Sequence, residues 1–81
     1  MRRTHLTRAA VELARIMAAR HLTQQAVADL LSQRVGRRVS QATVGRALVG
    51  AVPYGDLQSA LCVVLGLDVA LWSEPAAEQA A

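Results

Sequence analysis

This chain has no lysine and no phenylalanine, a single cysteine, and only two aromatic residues, Tyr54 and Trp72. Each absence narrows what the protein can be. Cys62 has no partner for an intramolecular disulfide, and His5 and His21 provide no cysteine–histidine spacing for a structural zinc. No metal or other cofactor is therefore expected, and a reducing, cytoplasmic setting is the default. The shortage of aromatics tells against a sheet protein, which draws on aromatic and β-branched runs. A core made from Leu, Val, Ile and Ala favours small helices packed closely. The longest apolar stretch, Ala60 to Leu67, is too short to cross a bilayer, so no membrane partner is expected. The Arg-rich start carries Glu12 and lacks a small-residue cleavage site after an apolar run, which argues against a secretory signal. No paired carboxylates, nucleophile–base set or glycine-rich phosphate loop stands out, so neither an enzyme nor a small-molecule ligand is expected.

What the chain does have is arginine, unevenly placed. All nine basic residues are Arg and lie at or before Arg46, where only Glu12 and Asp29 oppose them. Beyond Arg46 stand Asp56, Asp68, Glu74 and Glu78 with no basic residue. Such a split suggests a first half that meets a polyanion and a second half used for packing or pairing. At 81 residues the chain is one domain, near the lower limit for a core without staples, and self-association would help it.

The periodicity is helical throughout. Residues 1–3 form a basic arm, and Thr4 is a candidate N-cap for a helix whose stripe is Leu6, Ala10, Leu13 and Met17, widened by Ala9 and Ile16. Glu12 sits within ion-pairing reach of Arg8 and Arg15 on the opposite side. A second helix runs from N-cap Thr23 to about Arg34, with Val27, Leu30 and Leu31 inward and Gly36 as its stop. A third is opened by Ser40 and closed by Gly50, with Val44, Ala47 and Leu48 inward and Gln41, Ala42, Thr43, Gly45 and Arg46 outward. Pro53 forces an extended link. A fourth helix starts at Tyr54 or Asp56, buries Leu57, Ala60, Leu61 and Val64, and stops at Gly66. Asp68 caps a last short helix with Val69, Leu71 and Trp72. The tail from residue 74 to 81 has nothing to bury and is expected to fray.

The order of an amphipathic helix, Leu22-Thr23-Gln24 with Val27-Ala28, then Ser40-Gln41, Val44 and Gly50, and finally Leu65-Gly66-Leu67, resembles the Cro/C1 or lambda-repressor-like helix-turn-helix family of bacterial and phage regulators. The resemblance covers residues 4–73. It implies an all-α bundle of about five helices that binds double-stranded DNA at an inverted-repeat operator as a homodimer and regulates transcription, as a repressor does. The family turns tightly between its two central helices, often on a glycine where Ser32 stands; here the segment Ser32 to Val39 is several residues longer. By resemblance, Gln41, Ala42 and Arg46 are the base readers of a helix lying in the major groove: an amide for adenine, a methyl for thymine, a guanidinium fork for guanine.

Thr23, Gln24, Ser40 and Thr43 are candidates for phosphate contacts, because short polar side chains and free N–H groups at helix starts point at one anion. Thr23 and Ser40 also read as plain caps. Arg34, Arg37 and Arg38, in and beside the lengthened turn, are candidates for sequence-independent phosphate contacts. Leu67, Val69, Leu71 and Trp72 are the expected dimer contact, with Trp72 an anchor there rather than a lid on its own core. Cys62 reads as a small buried hydrophobe, and the histidines as surface or linker residues. Two other readings remain open: an antitoxin-like or other protein-interaction module on the same fold, and an RNA- or membrane-surface-binding module using the Arg-rich first helix.

Overall fold

The computed structural model describes residues 6–53 and 55–76. Thr4, His5, Tyr54, the basic arm 1–3 and residues 77–81 lie outside the described residues. The fold is all-α: α1 (Arg8–Ala19), α2 (Gln24–Val35), α3 (Gln41–Leu48), α4 (Asp56–Leu65) and a closing 3₁₀ turn, Val69–Ser73. Among the described residues there is no strand, only one isolated bridge.

That bridge corrects both ends of the expected chain. Thr7 is the N-cap of α1, extended at φ −87° and ψ 161°, and its hydroxyl accepts from the Ala10 N–H at 3.1 Å. Leu6 precedes the helix because the backbone there pairs with the C-terminal segment. The Arg8 N–H donates to the Glu74 carbonyl at 2.8 Å, and the Ala76 N–H donates to the Leu6 carbonyl at 2.9 Å. Thr7 and Pro75 face each other between these two bonds, at the one place in such a ladder where a residue without an N–H does no harm. Arg8 also pairs with the Glu74 carboxylate at 2.7 Å rather than with Glu12, which pairs with Arg15. Thus Glu74 to Ala76 is not a frayed tail: Ala76 is buried, and the expected boundary at 73 moves outward.

α1 turns its Ala9, Ala10, Leu13 and Met17 inward, as its periodicity requires. It ends in a Schellman arrangement, with the Leu22 N–H on the Met17 carbonyl at 2.8 Å and His21 in the left-handed region at φ 55°. α2 is capped by Thr23, whose hydroxyl accepts from the Ala26 N–H at 3.0 Å. Its buried stripe is Val27, Ala28 and Leu31. Leu30 is exposed, contrary to expectation, since it lies about 100° around the helix from Leu31 and off that stripe. The core joins Leu13, Leu31, Leu61, Leu65, Val27 and Val44, all sealed from solvent, with Ala9, Ala28, Ala47 and Ala60 allowing backbones to approach. Burying each large aliphatic contributes about 1.5–3 kcal/mol.

α2 stops at Gly36, left-handed at φ 75°, and the chain then needs several residues to reach α3. Ser32 organises them. Its hydroxyl donates to the Ala28 carbonyl at 2.8 Å and accepts from the Val39 N–H at 2.8 Å. Val39 is thereby held with its side chain in the core. Ser40 starts α3 in the extended conformation of an N-cap, yet its hydroxyl makes no cap bond to a helix N–H and lies 3.4 Å from the Thr43 hydroxyl. α3 buries Val44 and Ala47 and packs on α1 and α2. Past Gly50 the link 51–53 is steadied by the Gln58 amide, which donates to the Pro53 carbonyl at 2.9 Å. α4 packs on α2 and stops at Gly66. Asp68 caps the 3₁₀ turn by accepting from the Ala70 N–H at 2.9 Å.

Three of the four residues expected at a dimer contact are covered within the protomer. The 3₁₀ turn folds back on α1 and α4, so Leu67 and Trp72 are buried in the protomer's own core and Leu71 packs half-buried against it. Val69 alone of the four is exposed. Among the described residues Trp72 is the lid of a core with no other large aromatic, and its indole N–H is buried there without a hydrogen-bond partner. Cys62 is half-buried against the same core. Replacing Ser32 by Ala leaves the Val39 N–H without its acceptor, and urea unfolding should then show a loss of about 1–3 kcal/mol. An unchanged midpoint would mean the turn is held by something else.

Candidate nucleic-acid interface

The outward side of α3 follows from its inward side. Val44 is fully buried and Ala47 nearly so, which turns Gln41, Ala42 and Arg46 to solvent, all exposed. Thr43 and Gly45 are half-buried. At Gly45 the N-terminal end of α2 comes close: a Cβ there would stand 3.0 Å from Oε1 of Gln24. Gln24 therefore lies over the middle of α3, as the pairing of these two helices requires.

The expected residues divide among three grooves. Gln41, Ser40 and Arg38 line one, together with Gln25, Asp29, Ser32 and Val39. Arg46, Thr43 and Arg37 line a second, a cleft of about 430 Å³ floored by Ala47, Val52, Pro53 and Leu57. Arg34 does not join them; it lines a groove between α2 and α4 with Asp56, Ser59 and Val63. Thr23 is exposed, and its hydroxyl is used as a helix cap.

Electrostatics separate the arginines further. Among the described residues, Arg38 and Arg46 have no ion-pair partner. Arg37, expected to be free for phosphate, is instead held by Asp56 at the start of α4. Both terminal guanidinium nitrogens donate to the carboxylate, the second, Nη2 to Oδ1, at 3.0 Å. The hydrogen bond and charge of Arg37 hold the Asp56 carboxyl below its ordinary range, and the reciprocal contact raises Arg37. Both side chains are about half exposed, so solvent screens the pair and it adds little to stability. Asp29 places a carboxylate among the polar residues of the first groove, and the Gln25 amide donates to it at 2.9 Å.

Gln25, Ser32, Gly45 and Asp56 also belong to this surface, and none was among the site residues expected from sequence. Gly45 had a signal, being a glycine inside a helical pattern, where it costs about 1 kcal/mol against alanine. The partnership of Arg37 with Asp56 spans nineteen positions and has no local signature. The chain matches no family model, no curated protein and no solved structure.

Because the Asp56 carboxyl is depressed when folded, whatever stability the pair contributes is present above an ordinary aspartate value and lost as pH falls through the lower one. A carboxyl NMR titration should place the Asp56 midpoint below that of an unperturbed aspartate, and Arg37→Ala should bring it back up. Identical midpoints in the two proteins would rule out the pairing in solution.

Proposed function

We propose that this protein is a non-enzymatic, sequence-specific DNA-binding regulator of transcription of the Cro/C1, lambda-repressor-like kind, with α3 lying in the major groove. The single observation that carries the reading is the division of α3. Val44 and Ala47 are sealed against α1 and α2, while Gln41, Ala42 and Arg46 stand outward from one short rod. A helix fits the width of that groove, and its first turn is nearest the base edges. Gln41 would take adenine, Ala42 a thymine methyl and Arg46 guanine, a bidentate pair contributing about 1–3 kcal/mol of discrimination. Gln24, Ser40, Thr43 and Arg38 surround that helix and would fix it on phosphates, with Thr23 contributing through the N-terminus of α2.

The RNA- and membrane-surface readings rest on a free basic face on α1. That face is weakened, since Arg8 is paired with Glu74 and Arg15 with Glu12. No helix among the described residues is long and apolar enough to cross a membrane. A protein-interaction role would use the acidic half, where Val63 and Val69 are exposed. Val49 and Val52 are exposed in that half as well, and exposed valines are ordinary on a protein surface and give that reading no specific support.

Selection of binding sites from random duplexes tests the proposal. Arg46→Ala should relax base preference at one position, whereas Arg38→Ala should weaken all sequences alike and lower the salt slope by about one unit. Equal, sequence-blind losses from both would count against this docking. As a homodimer the protein should select an inverted repeat with half-sites about one helical turn, roughly 10 bp, apart. A single unrepeated footprint, together with a monomeric mass in solution, would remove the dimer.

A further inference from the structure

We infer that Asp56 acts as an internal rival of DNA phosphate for Arg37, lowering the sequence-independent affinity of the interface; the inference rests on the DNA-binding reading above. Arg37 sits in the lengthened turn between two fixed points, Gly36 bonded to the Ser32 carbonyl and Val39 bonded to the Ser32 hydroxyl. Its backbone is therefore held, and only its side chain is free to choose a partner. The partner it takes is a carboxylate engaged by two guanidinium nitrogens. Phosphate is bound by the same planar fork, so Asp56 and a DNA phosphate compete for one geometry.

The place of the pair makes that competition consequential. Arg37, Asp56, Thr43 and Arg46 line a single cleft, so a guanidinium released from Asp56 remains beside two of the residues assigned to DNA. Exposure of both side chains means the exchange needs no unfolding. Asp56 would act twice, by cancelling one positive charge and by setting a negative one at the rim of the cleft. The two effects are separable, because only the first runs through Arg37. Phosphate contacts carry no base information, so withholding one should weaken every sequence by a common factor.

The test compares the native protein with Asp56→Asn, Arg37→Ala and the double variant. Each is checked for fold by circular dichroism and melting, then titrated with the selected operator and with a random duplex of equal length between about 50 and 200 mM salt. Asn keeps the size of the side chain and removes its negative charge. Asp56→Asn should tighten both duplexes by a similar factor and steepen the slope of log K on log salt by about 0.9, one added phosphate contact. Across that fourfold range of salt, its loss of affinity should exceed the native loss by roughly 3.5-fold. Arg37→Ala alone should keep the native slope, and adding it to Asp56→Asn should remove the added slope and cut the gain to the part owed to the lost negative charge. If the whole gain and the steeper slope survive in the double variant, Asp56 works by repulsion alone and the rivalry is wrong. If Asp56→Asn weakens binding, the pair is a strut that positions the turn, and the inference falls. An unchanged slope in a protein that still selects an operator overturns this inference only, whereas failure of the native protein to bind either duplex overturns the DNA reading as well.

Discussion

An eight-residue helix is too short to persist in water on its own, so α3 exists because Val44 and Ala47 are buried. That narrow apolar strip is the constraint on which the rest depends. It fixes the rotation of the helix about its own axis and so decides which side chains face out. Ala42 and Arg46 owe their position to burial on the opposite side, and Gln41 to its place at the edge of that strip, rather than to any bond of their own. Gly45 completes the arrangement by letting Gln24 of α2 lie against α3. Orientation is thus set by packing, which leaves the outward side chains free for whatever they meet.

A core with so few aromatics has to close by other means. Alanines at Ala9, Ala28, Ala47 and Ala60 bring helix backbones near, and leucines and valines fill what is left. Trp72 is the one large piece, and it is used as a cover held by the 3₁₀ turn against α1 and α4. Its ring removes a large apolar area from water, while its indole N–H is buried without a hydrogen-bond partner among the described residues. The lengthened α2–α3 turn is handled in a similar way. Ser32 stands in the helix as a two-sided connector and converts a long excursion into a fixed loop with Val39 as its root.

Much of this was legible beforehand, and the reasons are local. Thr23, Asp68, Gly36 and Gly66 mark helix ends because the groups they satisfy lie within a few residues, and periodicity alone places Val44, Ala47, Leu13 and Leu61 inside. What went unread depends on partners distant in sequence. Thr7 replaces Thr4 as the described cap of α1 because Pro75 and its neighbours pair there. Leu67 and Trp72 looked uncovered only because the return of the 3₁₀ turn onto α1 leaves no mark in the residues themselves. The cluster of arginines was visible, but its division into free and occupied members was not, since Arg8 and Arg37 find their acids in Glu74 and Asp56. Ser40 resembles a cap by type and by backbone, and its hydroxyl still turns to Thr43.

The pairing of Leu6 with Ala76 has a topological consequence. Two backbone hydrogen bonds bring the first and last described residues side by side, so the path of the chain is almost a closed loop. In such a loop the order of the helices in space does not depend on where the polypeptide is opened. The same body could be encoded from a new starting point, in the stretch joining α3 to α4 for instance, with a short peptide sewing the old ends together.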